Sequence, residues 1–139
     1  MLFLLVTLRM AGLVGRIETQ AGHLTALVRL DPLTGLANRR SLDEGMAEAM
    51  TRNGTTGETL FAALLDLDHF KRYNDTHGHQ AGDELLTEAA AAWRASLRSE
   101  DLLAGYSGEE FFLLLSGHAI DAAIRVVERL LTATPFGRI

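Results

Sequence analysis

Two acidic segments stand far apart in this chain of 139 residues. Leu64-Leu65-Asp66-Leu67-Asp68-His69-Phe70-Lys71 closes one apolar run, and Tyr106-Ser107-Gly108-Glu109-Glu110-Phe111 opens another. Each reads as carboxylates at the margin of a buried β-strand. Carboxylate oxygens are ligands for a hard divalent cation, and a lysine and a glycine turn suit phosphate. Gathered in one place, these residue types would make a metal–nucleotide site.

Asp66 lies nearer the apolar run and is the candidate metal ligand, with Asp68 left to cap the following helix. Capping alone would also explain such a pair. Glu109 and Glu110 follow a glycine turn. Like charges entering a buried strand cost stability unless a cation or donor offsets them, the alternative being a turn that stays in water. Gly108 permits close backbone approach to a phosphate. Lys71, Asn74 and Asp83 surround the same region. Asn offers a donor and an acceptor and Asp accepts two hydrogen bonds, a set able to read a guanine edge. Asp83 could instead cap a long helix. Arg98 and Asp101 could grip a ligand through the planar guanidinium fork, or form an ordinary helix-end ion pair. His77 and His79 flank Gly78 in a turn and are not read as metal ligands.

The elements that must position these residues follow from periodicity and breakers. Phe3, Val6, Met10, Leu13, Ile17, Gln20, Leu24 and Leu27 recur at spacings of three and four, predicting one helical stalk over residues 1–30 that ends at Asp31-Pro32. Such a stalk could pair with its own copy or pack on its own domain. Asn38 reads as the N-cap of a helix with Leu42, Met46, Ala49 and Met50 inward, and residues 53–57 read as a loop. Leu60 to Leu67 is an unbroken apolar run, expected as a fully buried central strand. A short helix is expected near residues 69–74 and a long one over 83–97 with Leu85, Leu86, Ala89, Ala92 and Trp93 inward. Asp101–Tyr106 and Glu110–Leu115 predict a hairpin around Ser107-Gly108. A last helix over residues 119–132 would bury Ile120, Ala123, Ile124, Val127, Leu130 and Leu131.

A composition 47% hydrophobic supports one domain with a real core. The chain has no cysteine, which excludes disulfides, thiolate metal sites and Cys nucleophiles. A formal charge of −5 argues against nucleic acid as a main partner, while a small phosphorylated ligand needs only a few local cations. The first fifteen residues are apolar apart from Thr7 and Arg9. That is short of the roughly 20 residues of a full membrane span, and it reads as the end of a transmembrane helix or as an apolar interaction helix. The expected fold class is α+β, a mainly antiparallel sheet flanked by helices.

Taken in order, four motifs closely resemble those of GGDEF-domain diguanylate cyclases. They are Asp31-x-Leu33-Thr34-Gly35-Leu36-x-Asn38-Arg39-Arg40, Asp66-Leu67-Asp68-His69-Phe70-Lys71-x-x-Asn74-Asp75, Gly78-His79-x-x-Gly82-Asp83-x-Leu85-Leu86 and Ser107-Gly108-Glu109-Glu110-Phe111. The resemblance runs from about residue 31 to the end. It implies a fold related to the nucleotide cyclase core and the condensation of two GTP into cyclic di-GMP with release of two pyrophosphates. By matching position, Asp66, the Leu67 carbonyl and Glu109 would hold Mg²⁺ or Mn²⁺. Lys71 would sit near the triphosphate, and Glu109 or Glu110 would help deprotonate the attacking 3′-hydroxyl. Asn74 and Asp83 would read guanine, with Phe70, Ser107 and Gly108 lining the substrate. Arg98 and Asp101 fall where the family carries its product-inhibition motif.

Because each such domain holds one GTP, the resemblance implies a homodimer, and a paired stalk would raise the effective concentration of the two half-sites. It also implies a membrane tether, with the catalytic domain on the cytoplasmic face of the inner membrane. Ser107 replaces the first glycine of the signature and could crowd the phosphate or demand an awkward φ. Gly105 stands where an arginine is usual. The family continues past Gly137-Arg138-Ile139 into a strand and helix that supply triphosphate contacts, so this chain is expected to be a fragment, weakly active or inactive by itself. The alternatives are a degenerate domain that senses cyclic di-GMP through Arg98 and Asp101, or a purely structural dimerisation or GTP-sensing domain.

Overall fold

The computed structural model describes residues 4–5 and 28–134. In chain order the elements are β1 (Leu4–Leu5), α1 (Arg39–Thr56), β2 (Leu60–Asp66), α2 (Phe70–His77), α3 (His79–Ala95), β3 (Leu102–Ser107), β4 (Glu110–Ser116) and α4 (Ile120–Ala133). Three strands carry an antiparallel sheet with β4 between β2 and β3, and the two residues of β1 pair with Leu65 and Leu64 at the outer edge of β2. This is the α+β arrangement expected. The proposed stalk lies outside the described residues, apart from its extended Leu4–Leu5 and its far end. There Val28 and Arg29 are not helical, and Leu30 bridges to Ala37.

Strand alternation sorts the two faces of the sheet. Ala63, Leu65, Leu103, Phe111, Leu113 and Leu115 join Leu86, Ala89, Trp93, Ala123, Val126 and Leu130 in the main core beneath α3 and α4. Trp93 is wholly buried, stands edge-on to Phe111 at 5.0 Å between centroids, and donates its indole N–H to Leu130 O and Thr134 Oγ1, both at 3.1 Å. The opposite face meets α1, where Leu42, Ala49, Ala104 and Leu114 are buried. β2 lies between the two-residue β1 and β4 and is not the fully buried strand expected: Ala63 and Leu65 are buried, whereas Ala62 on the other face is exposed between the partly covered Leu60 and Leu64.

Several boundaries differ from expectation for local reasons. Asn38 does cap α1, its side chain accepting from Ser41 N–H at 3.0 Å, but the helix continues through residues 53–56. Thr55 and Thr56 turn their hydroxyls back onto Arg52 O, and Gly57 at φ 71° supplies the left-handed cap. Met50 is exposed rather than inward. α2 extends to His77, and α3 begins at His79 rather than at Asp83. On α4 the buried set is Ala123, Val126, Val127 and Leu130, while Ile120 and Ile124 face outward, so the apolar stripe is rotated from the one expected.

Candidate functional site

The hairpin turn consists of Gly108 and Glu109, one position later than the Ser107-Gly108 turn expected, because Ser107 is already paired with Glu110. Gly108 takes φ 51°, a value suited to glycine at the first position of a two-residue loop. A register shift between Gly105 and Ser107 absorbs the irregularity, and Ser107 keeps a negative φ, so the serine imposes no backbone strain. A Cβ at Gly105 would stand in ordinary van der Waals contact with Asp31, whose Cβ lies 3.7 Å away. Asp31 is in turn committed to its own loop, accepting from Thr34 N and Oγ1 at 2.8 Å each. Arg39, at the start of α1, lies over the Tyr106 ring at 4.7 Å, placing a cation beside this hairpin from another element.

Asp66, the last residue of β2, is paired directly with Glu110. Opposed residues in an antiparallel pair share a face with Cβ atoms about 5 Å apart. The two distant acidic segments are thus brought together, with Glu109 one residue away in the turn. Asp66 Oδ1 is buried with no hydrogen-bond partner among the described residues. Burial pushes the Asp66 carboxyl above the ordinary carboxylate range; the Asp68 charge adds to this, and the Leu67 N–H opposes it. Leu67 O accepts a long 3.3 Å bond from Phe70 N–H. These hard oxygens, one of them lacking a donor, fit a divalent cation such as Mg²⁺ or Mn²⁺. No group of three or more His, Asp or Glu gathers at metal-holding distance among the described residues. A two-carboxylate site of this kind suits Mg²⁺ that also takes water and substrate phosphates.

The turn after Asp66 is tight. His69 occupies the cap position of α2 at φ 59°, the one non-glycine residue of positive φ among those described, where Asp68 was expected to cap. Lys71 is exposed in the first turn of α2, whereas Phe70 is a core residue with 7% of its surface exposed. Phe70 therefore supports the turn from beneath rather than offering a face to substrate. Asn74 lies against Gly82 of α3, with Oδ1 buried and without a partner among the described residues. Asp83 sits one turn inside α3 and is not its N-cap. It lines an open depression with Leu33, Gln80, Glu84, Thr87 and Glu88. Leu33, 40% exposed, gives this depression an apolar wall, and Thr87 Oγ1 ties it to α3 through Leu33 O at 3.4 Å. Leu33 and Gly82 were not singled out as site residues from sequence. Their clue is the tight α2–α3 approach, which depends on tertiary packing.

Arg98 and Asp101 lie at the other end of β3, about 20 Å from the hairpin turn at 3.3 Å per residue. Asp101 has no exposed side-chain surface and lies 3.5 Å from Arg98 Nη2. Two further residues join them that sequence reading missed. His118 Nε2 is 2.9 Å from Asp101 Oδ1. Arg129 of α4 clamps Ser96 O, two residues before Arg98 in the chain, through Nε at 3.2 Å and Nη2 at 2.6 Å.

Residues 28–136 match the family described as "Diguanylate cyclase, GGDEF domain". The chain belongs to the GGDEF-domain family, whose homologues include named diguanylate cyclases. It is 44% identical over 109 residues to the diguanylate cyclase DgcP of Pseudomonas aeruginosa, covering 76% of this chain and 16% of that protein. The diguanylate cyclase SiaD of Pseudomonas aeruginosa, solved with its activator SiaC, superposes with a TM-score of 0.75 at 41% identity, over 84% of this chain and 45% of that one. The GGDEF domain of DgcB from Caulobacter crescentus, solved with c-di-GMP, gives a TM-score of 0.71 at 31% identity, over 83% and 63%. This chain therefore spans only part of these relatives.

Proposed function

We propose that this chain is the GGDEF domain of a diguanylate cyclase that condenses two GTP into cyclic di-GMP as a homodimer. In each half-reaction the 3′-hydroxyl of one GTP attacks the α-phosphorus of the other, a P–O bond forms, and pyrophosphate leaves. The observation that carries this reading is the pairing of Asp66 with Glu110 beside the Gly108-Glu109 turn. Asp66 and Glu109, with the Leu67 carbonyl, would hold Mg²⁺ or Mn²⁺. Such an ion, when bound, lowers the pKa of a coordinated hydroxyl and neutralises phosphate charge. Glu110 or Glu109 accepts the 3′-hydroxyl proton. Lys71 faces the triphosphate, and the backbone at Ser107 and Gly108 lets it approach closely despite the variant Ser-Gly-Glu-Glu-Phe signature.

Asn74 and Asp83 orient the base by hydrogen bonds against the Leu33 wall. Arg98 and Asp101 form a separate, inhibitory binding site for the product. The apolar stretch of residues 1–15 supports a membrane tether that places the domain on the cytoplasmic side of the inner membrane. Among the described residues no helix is long and apolar enough to cross a membrane.

Incubating a full-length protein that carries this domain with GTP and Mg²⁺ and resolving the products by chromatography tests the activity. Cyclic di-GMP is expected from the wild type and not from Glu109→Ala; full turnover by that variant would remove Glu109 from the metal site. Asp83→Ala is expected to weaken GTP binding about tenfold while leaving the much weaker ATP binding nearly unchanged. Equal losses for the two nucleotides in calorimetry would reject its role in reading the base.

A further inference from the structure

Among the described residues His118 is the one polar or charged residue buried as a whole, with 8% of its surface exposed. It follows β4 and points its Nε2 at Asp101 Oδ1 across 2.9 Å. The other oxygen of the same carboxylate, Oδ2, accepts the backbone N–H of Arg98 at 3.1 Å. A carboxylate only accepts and a guanidinium only donates, so Nε2 donates to Asp101 in one tautomer and accepts from Arg98 in the other. Arg98 Nη2 lies 2.5 Å from the same Nε2 and donates to Ser116 O at 3.2 Å, so His118 stands between the two partners of the pair.

The two partners of the Arg98–Asp101 pair are therefore in unequal states. The Arg98 side chain is half exposed, whereas Asp101 has both oxygens engaged and no exposed side-chain surface. A ligand that must donate to Asp101, as the N1 and N2 groups of guanine would, meets a carboxylate whose side chain is fully covered, with His118 against Oδ1. We propose that His118 is an internal cap on Asp101 that holds the Arg98–Asp101 site in a low-affinity state for a guanine-bearing ligand. This rests on the reading of Arg98 and Asp101 as the product-binding site. With the cap in place Arg98 alone faces the ligand. When His118 is withdrawn, Asp101 Oδ1 becomes an acceptor for guanine N–H groups.

Calorimetric titration of the whole chain with cyclic di-GMP tests the cap. His118→Ala and His118→Thr, which take the imidazole off Oδ1, are expected to bind about tenfold more tightly than wild type, equivalent to one added hydrogen bond to a charged acceptor. His118→Gln, whose amide N–H can replace the imidazole donor, is expected to keep wild-type affinity. The gain in His118→Ala should vanish when Arg98→Ala is added. If the alanine variant fails to fold, the threonine and glutamine variants carry the comparison. Equal affinity across the series, with binding still lost in Arg98→Ala, would overturn the cap and leave the product site standing. Binding that ignores Arg98→Ala altogether would remove the product site and the cap together.

Discussion

Asp66→Asn is expected to cut cyclic di-GMP formation by about a thousandfold while making the metal-free protein more stable. The first effect follows from losing Asp66, which with Glu109 is assigned to the metal at the strand end where Asp66 opposes Glu110. Metal stabilisation of a transferring phosphoryl group is worth several kcal/mol, and each ~1.4 kcal/mol is tenfold in rate. The second effect follows from the raised pKa of Asp66. A folded-state pKa above the unfolded value means that ionising the carboxyl disfavours folding. The associated stability is fully present below the unfolded pKa and is lost as pH rises through the folded one. Near neutral pH, then, asparagine relieves the burial cost, and melting temperature without metal should rise by a few degrees. Below the carboxylate range the two proteins should converge. Added Mg²⁺ should raise the melting temperature of wild type and not of the variant. A wild type indifferent to Mg²⁺ by this measure would overturn the assignment without any assay of turnover.

Gly82→Ala is expected to be among the most damaging single-methyl additions in the chain. A Cβ at Gly82 would overlap Asn74 Oδ1, and both side chain and helix are held where α2 packs on α3. Overpacking of this kind costs about 1–3 kcal/mol. Because Asn74 must leave its place, the loss should appear in GTP affinity as well as in melting temperature, by at least about tenfold. Gly54→Ala makes the control: it stands in α1 with nothing within 4 Å of the added methyl, and alanine favours a helix interior. Stability should be equal or slightly higher there, with nucleotide binding unchanged. Similar GTP affinity in Gly82→Ala and wild type would show that Asn74 does not contact the base.

The strand ends, the hairpin and the cap of α1 were legible because each is written in adjacent residues. The apolar run into Asp66, glycine beside paired glutamates, and Asn38 before an apolar periodicity are local signals. The resemblance to the GGDEF family, carried by four ordered motifs, extended that reading to the sheet and the substrate, and the family is now established. The misread boundaries have local but competing causes. Asn53-Gly54-Thr55-Thr56 has loop composition, yet threonine hydroxyls bonded to Arg52 O let the helix run on until Gly57 ends it. On α4, Ile120 and Ile124 fit the stripe by hydrophobicity, but the sheet beneath selects Ala123 and Val126 instead.

The site contained features that no spacing rule reaches. His118 is seventeen residues from Asp101 in sequence, and only the antiparallel return of β4 beside β3 brings them into contact. Arg129 reaches Ser96 across α3 and α4 in the same way. Gly105 looked like a lost cation, yet Arg39 brings one to the neighbouring Tyr106 from α1. Side chains that close a site from a second element are the part that sequence alone conceals.

The distribution of aromatic rings gives this protein a built-in optical readout. Its single tryptophan is sealed at the centre of the molecule, so emission from Trp93 should report cooperative melting and little else. The two tyrosines are placed differently: Tyr73 stacks on His77 in α2 and Tyr106 lies under Arg39 at the hairpin. Ultraviolet difference spectra from these phenols should therefore report the α2 and hairpin surroundings, while indole fluorescence follows the integrity of the whole.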